Sequence, residues 1–298
     1  MPRSITVLVT GATGLQGGAV ARLLLDRGHR VRALTRRPAS QAAATLHVLG
    51  ADVYEGDFDD ATSVRSAARG TDALFLMSTP FEEGVEAEVR QARCAARAAA
   101  AAGVERIVYS SIAGADRTAG VAYLESKREI EETIRGWAGA WTIVAPTFFM
   151  DNLLGPTLLA GLQAGELRLP LPPARPLQMV ALENLAEVVR LALERPGEFA
   201  GRRLELASDR LTGLEMAAAL TRVTGREIDY AEAPPSALRR GREGLAFLWD
   251  WLGRAGNDVD LEALREAYRE VDWHDFGRWA RDRDWSTLGP TSERQPAT

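Results

Sequence analysis

Tyr123 and Lys127 stand four residues apart in the segment Tyr123-Leu124-Glu125-Ser126-Lys127. On a helix that spacing brings a phenol and an ammonium to one side. An ammonium beside a phenol stabilises the phenolate and lowers its pKa, so Tyr123 is a candidate general acid toward a substrate oxygen. Ser111, twelve residues before Tyr123, is a candidate for orienting a carbonyl. Composition sharpens the choice of Lys127: all but one of the 36 basic side chains are arginine, and Lys127 is the exception. Arginine carries charge as well as lysine does, but a wide, permanently charged guanidinium does not replace a compact ammonium of adjustable pKa. A lysine that survives such a bias is a candidate for chemistry. The plain alternatives are a leftover surface lysine and a chance Tyr-Lys pair.

A second set of residues suits holding a ligand. Ile5-Thr6-Val7-Leu8-Val9 is a short apolar run of the kind a doubly covered strand uses, and the glycine-rich stretch Thr10 to Gly18 leads from it into the helical pattern Ala19 to Arg27. Strand, glycine turn and helix together form the context of a dinucleotide-binding motif. Gly11 suits the tight turn, Gly14 the approach of a diphosphate to the main chain, and Gly17 the packing of helix on strand. The unpaired N–H groups at the helix start then face the phosphates. The next strand, Arg30 to Thr35, ends in Arg36-Arg37-Pro38. Nineteen residues separate Gly17 from Arg36, close to the offset at which such folds read the adenosine ribose. Arginine there suits a 2′-phosphate, so NADP(H) is the expected cofactor.

The rest of the first half continues the alternation. Strands are expected over Ala51–Asp57, Ala73–Met77, Arg106–Tyr109 and Trp141–Ala145, and helices over 61–69, Glu82–Ala102 and Glu125–Trp137. Asp57 and Phe58 fall at a strand's C-terminal end, where adenine would lie. The pattern implies an α/β fold, a doubly wound parallel sheet of Rossmann type over residues 1–150, with ligands at the strands' carboxyl ends. Past Pro146 the alternation stops. Helices are expected near Asn152–Gln163 and Leu182–Leu193, and Arg203–Ala207 reads as one more strand for the first sheet. Residues 151–298 otherwise read as a smaller, mainly helical substrate-binding lobe, with 289–298 as a loose tail.

Charges are interspersed and the net charge is -5, which gives no basic footprint for nucleic acid. No apolar run approaches membrane-spanning length and no signal-peptide core precedes the first strand, so a cytoplasmic protein is expected. Cys94 has no second cysteine to pair with, and His29, His47 and His274 are scattered without metal-ligand spacing. The expected partner is a small molecule, with no metal, nucleic acid or membrane, and the chain suits a monomer or a homodimer.

These residues resemble the NmrA-like family of atypical short-chain dehydrogenases/reductases over nearly the whole length. The resemblance rests on Val9 to Gly18, Leu34-Thr35-Arg36-Arg37-Pro38, Gly56 to Asp60, Tyr109-Ser110-Ser111, the helix Lys127 to Ile134, and Thr147 to Leu154. It implies that Gly11, Thr13, Gly14, Gln16 and Gly17 hold the diphosphate, Arg36 the 2′-phosphate, and Asp57 and Phe58 the adenine. Ser78, Thr79 and Pro80 would line the nicotinamide side, Lys127 would hold the nicotinamide ribose, and Phe148 and Phe149 would close over the ring. Some members of the family are NADPH-dependent reductases of quinones, dyes or phenylpropanoids; others bind NAD(P) and act as regulators. This leaves two readings: a reductase of small apolar or aromatic carbonyl, quinone or imine-like compounds, protonated by Tyr123 or water, and a catalytically silent NADP(H) sensor acting through a protein partner. Gln41 stands where some relatives carry a second basic residue for the phosphate.

Overall fold

The computed structural model describes residues 4–117, 120–234 and 243–288, so the expected tail at 289–298 lies outside the described residues. The chain divides into two compact units: Met1–Thr147 with Leu182–Ala207 and Val259–Asp272, and Phe148–Ala181 with Ser208–Asp258 and Trp273–Thr298. Two segments from the second half of the chain thus belong with the N-terminal unit. The reason for the first of them is hydrogen bonding: its strand completes the main sheet.

In chain order the first unit contains β1 (Thr6–Val9), α1 (Leu15–Asp26), β2 (Arg30–Thr35), α2 (Gln41–Val48), β3 (Asp52–Glu55), α3 (Ala61–Ala68), β4 (Ala73–Met77), α4 (Val85–Ala101), β5 (Arg106–Ser110), α5 (Ala122–Arg135) and β6 (Ala140–Pro146). The chain continues with β7 (Phe148–Phe149), a 3₁₀ turn at Met150–Leu154, α6 (Pro156–Gln163), β8 (Glu166–Leu169) and β9 (Pro176–Val180) in the second unit. It returns to the first with α7 (Leu182–Glu194), α8 (Pro196–Phe199) and β10 (Arg202–Leu206). Next come β11 (Asp209–Thr212), α9 (Gly213–Thr224), β12 (Asp229–Glu232) and α10 (Glu243–Arg254) in the second unit, α11 (Leu261–Ala267) in the first, and α12 (Phe276–Arg281) in the second.

Among the described residues the main sheet has seven parallel strands in the order β10-β6-β5-β4-β1-β2-β3. Strands β1, β4 and β5 are buried along nearly their whole length, as expected of central parallel strands covered on both faces. The edge strand β3 carries an exposed acid at each end, which blunts the edge against further pairing. Helices α1 and α7 pack together on one face, and α3, α4 and α5 pack side by side on the other. On that second face Ala92, Ala95, Ala96 and Ala99 of α4 are buried with Leu8, Leu74, Val64, Ile130 and Ile134. Their small side chains let α4 lie close to both of its neighbours.

Several boundaries differ from the expected ones for local reasons. Helix α4 starts at Val85, not Glu82, because Gly84 takes φ +91, which no helix tolerates. Helix α5 starts at Ala122, three residues earlier than expected, so Tyr123 lies in its first turn. The single helix expected at 152–163 is a 3₁₀ turn followed by α6, divided at Gly155 where Pro156 starts afresh at the first helical turn. The second unit also holds more strand than its pattern suggests: β9 joins β7 and β11, and β8 pairs with β12. These strands are two to five residues long with mixed burial, too short for a period to register. Within the same unit α9 is started by a capping box in which Thr212 and Glu215 bond each other's backbone N–H.

Candidate functional site

The strand order reverses between β1 and β4, and a crevice opens at the carboxyl ends of this pair, as at the switch point of other open parallel sheets. Thr10, fully buried just past β1, holds the two strand ends together. Its hydroxyl donates to the Phe75 carbonyl at 3.1 Å and accepts from the Met77 N–H at 2.9 Å. The chain then turns on Gly11 with φ +59, and the Gly14 N–H closes the turn on the Gly11 carbonyl at 2.9 Å. A Cβ on Gly11 would lie 2.4 Å from the Met77 sulfur; one on Gly17 would lie 2.4 Å from the Gly11 carbonyl oxygen and 2.5 Å from that of Thr10. The start of α1 is pressed against the turn so closely that only glycine fits. Gly14 caps α1 with no side-chain hydrogen bond, and no acid sits in the first turn. The positive end of the helix is left to face whatever the crevice holds.

The crevice has a volume of about 360 Å³ and is lined by Gly11, Thr13, Gly14, Leu15 and Gln16 at the turn, by Thr35, Arg36, Arg37, Asp57 and Phe58 at one end, and by Met77, Ser78, Thr79 and Glu82 on the β4 side. That size lies within the range of small-molecule sites. The Gln16 side-chain oxygen accepts from Ser110 Oγ at 2.8 Å, which ties the start of α1 to the end of β5. Asp57 is fixed by a bond from the Asp59 N–H to its carboxylate at 3.0 Å. Arg36 donates to the Glu82 carboxylate at 2.5 Å, and this bond holds its guanidinium above its usual pKa. A helix start without a capping side chain, a turn with no room for Cβ atoms and an arginine pair at the far end are the features that a dinucleotide with a 2′-phosphate requires.

Gly17 lies behind the turn and shapes it, and Pro80 belongs to the β4–α4 turn, where its carbonyl accepts from the Gly84 N–H at 2.9 Å. Phe148 and Phe149 fall in the second unit, where they form β7 and the Phe148 ring lies 5.5 Å from that of Trp249.

Lys127 is buried beneath the β4 end. Its Nζ lies 2.7 Å from a Glu88 carboxylate oxygen and donates to the Ser78 carbonyl at 2.8 Å; the two side chains are 4% and 0% exposed. Glu88 also accepts from Ser78 Oγ at 3.0 Å and from Ser126 Oγ at 2.7 Å. Glu88 is the partner of Lys127 that the sequence reading missed. The signal was present, since Glu88 shares the apolar stripe of α4 with Ala92, Ala95 and Ala99, where a carboxylate needs a partner. The expected electrostatic effect on Tyr123 is reversed: burial first, and the Glu88 charge second, raise its pKa instead of lowering it. Lys127 is neutralised by Glu88, while the Tyr123 ring stacks on Phe81 with centroids 5.6 Å apart.

Ser111 is likewise engaged elsewhere. It is buried, and its Oγ donates to Glu131 at 2.6 Å instead of facing the crevice. Glu131 is held in turn by Arg203 at 3.0 Å and Arg135 at 3.0 Å, and Arg203 reaches Glu205 at 3.1 Å. This network joins the end of β5 to the edge strand β10 and engages the Ser111 hydroxyl.

A doubly wound parallel sheet with a glycine turn at its switch point defines a Rossmann-like α/β protein. More narrowly, the chain belongs to the NmrA-like family, whose model matches residues 3–276. It is 32% identical over 234 residues to a (4-alkanoyl-5-oxo-2,5-dihydrofuran-3-yl)methyl phosphate reductase of Streptomyces griseus, covering 78% of this chain and 79% of that protein. It is 30% identical over 241 residues to an NAD(P)H azoreductase of Xenophilus azovorans, covering 81% and 82%. The fold matches a crystal structure of NmrA, a negative transcriptional regulator in complex with NADP, with a TM-score of 0.77 at 20% identity, covering 94% of this chain and 95% of that one.

Proposed function

We propose that this chain is an NADPH-dependent reductase that delivers a hydride to a small apolar or aromatic carbonyl, quinone or imine-like compound in the cytoplasm. The observation that carries the reading is one crevice combining a glycine turn with no room for Cβ atoms, an α1 start without a capping side chain, and Arg36 with Arg37 at its far end. Two relatives of about the same length are named as reductases, one of them for NAD(P)H. In this reading Gly11, Thr13, Gly14, Gln16 and Gly17 form the diphosphate cradle, Arg36 takes the 2′-phosphate, Asp57 and Phe58 flank the adenine, and Ser78, Thr79 and Pro80 face the nicotinamide. Bound there, the nicotinamide supplies the hydride. Lys127, paired with Glu88, fixes the Ser78 carbonyl and with it the wall on that side. Burial and the Glu88 charge hold Tyr123 above its ordinary pKa, which favours water over Tyr123 as the proton source.

The same two facts, a neutralised lysine and a raised tyrosine, favour a second reading in which the chain binds NADP(H) as a silent sensor. Calorimetric titration with NADPH and NADH, for the wild type and Arg36→Ala, tests what both readings share. NADPH affinity that Arg36→Ala weakens by about tenfold or more is expected from loss of a charge-assisted contact; binding of neither nucleotide refutes both. NADPH oxidation with a panel of quinones, azo dyes and carbonyl compounds then separates them, since tight binding without turnover leaves the sensor.

A further inference from the structure

Glu82 lines the same crevice as Arg36 and is bonded to it at 2.5 Å, with the two side chains 54% and 48% exposed. Of the two acids at the end of that turn, only Glu82 is bonded to Arg36. Glu83 is turned toward α4, where Gln91 donates to it at 3.2 Å and Arg90 lies 3.7 Å away. Asp57, the other acid lining the crevice, is held by the Asp59 N–H. Glu82 precedes α4 in a turn closed by the Gly84 N–H on the Pro80 carbonyl at 2.9 Å, so its carboxylate is set over Arg36 from outside the helix.

Resting on the reading that this crevice takes a nicotinamide dinucleotide, we propose that Glu82 sets the choice between its phosphorylated and unphosphorylated forms. A 2′-phosphate on Arg36 has to displace the Glu82 carboxylate, because two anionic groups on one guanidinium repel each other. A 2′-hydroxyl has no such conflict and can donate to the carboxylate in place, as it does in related folds to an acid at the end of the second strand. Arg36 therefore favours the 2′-phosphate and Glu82 opposes it, which narrows the preference for the phosphorylated nucleotide. Removing Glu82 removes only the opposition.

The test is calorimetric titration of wild type, Glu82→Gln, Glu82→Ala, Arg36→Ala and the Arg36→Ala/Glu82→Ala double variant with NADPH and NADH. An exposed ion pair is worth up to about 1 kcal/mol, so losing it tightens NADPH binding by about fivefold while NADH binding stays level or weakens. In the Arg36→Ala background the same substitution changes the NADPH-to-NADH ratio by less than about twofold. A ratio unchanged in both single Glu82 variants overturns the proposal while leaving the nucleotide reading intact. An equal gain in the Arg36→Ala background also overturns it, since Glu82 then acts without Arg36. A wild type that binds neither nucleotide overturns both.

Discussion

Replacing Glu88 by leucine leaves the Lys127 ammonium buried with the Ser78 carbonyl and hydroxyl and the face of Tyr109 for company. Replacing Lys127 by methionine leaves the Glu88 carboxylate with the hydroxyls of Ser78 and Ser126. Neither remnant reaches water, because the two side chains are 0% and 4% exposed. Breaking one side of such a pair costs about 3–5 kcal/mol, because an uncompensated charge stays in the interior. Removing both charges at once is far milder, so the double variant Glu88→Leu/Lys127→Met recovers most of the loss, and a double-mutant cycle reports a coupling well above the noise of additivity. Urea unfolding of the four proteins, compared by midpoint and slope, measures this directly. Single variants that lose less than about 1 kcal/mol would place the pair with exposed ion pairs and refute the account of Lys127 as a buried anchor.

Gly17→Ala drives a methyl into two backbone carbonyls at 2.4 and 2.5 Å. Overpacking of this kind costs about 1–3 kcal/mol, and the turn it displaces is the proposed nucleotide cradle, so a lower melting temperature together with lost NADPH binding is expected. Normal binding would show that the turn does not shape the site. At alkaline pH the sign follows from Tyr109 and Tyr123, both raised chiefly by burial and then by the Glu88 charge. The folded chain keeps these protons after the unfolded chain has lost them, so stability is full below the unfolded value of about 10 and falls as pH rises past it. Tyr123→Phe flattens that fall in a series of urea midpoints; a slope as steep as in the wild type counts against the raised pKa.

Most of the first unit was legible in the sequence because its central strands are continuous apolar runs alternating with helical patterns. Strand β4 begins and ends where its apolar run does, at Ala73 and Met77, and β10 joins the sheet as its pattern at 203–207 suggests. The glycine turn was legible for a stronger reason: Gly11 takes φ +59, which other residues avoid, and Gly17 leaves no room for a Cβ. What escaped was pairing across elements. The spacing of Tyr123 and Lys127 was read correctly as one turn of a helix, yet the decisive neighbour of Lys127 lies on another helix, and no local pattern gives its identity. The short strands β8, β11 and β12 escaped for the related reason that their partners, not their own residues, make them strands.

The two serines at neighbouring strand ends show what that costs a motif reading. Ser78 follows β4 and Ser111 follows β5, and both were natural candidates for touching a ligand. Each donates to a buried glutamate on an adjoining helix, Ser78 to Glu88 of α4 and Ser111 to Glu131 of α5, and Ser78 also lines the crevice. Each glutamate carries a basic partner, Lys127 in one case and Arg203 in the other. The choice of base follows from the space. Glu131 sits beside the edge strand, where the Arg203 fork finds separate acceptors on Glu131, Glu205 and the Ile112 carbonyl. Glu88 lies under the crevice wall with one carbonyl, a serine hydroxyl and the face of Tyr109, 5.8 Å from Nζ, around the cation. A compact ammonium can be satisfied there, whereas a guanidinium with five donors cannot. Packing of this kind explains why the chain keeps its one lysine, without requiring Lys127 to take part in the chemistry.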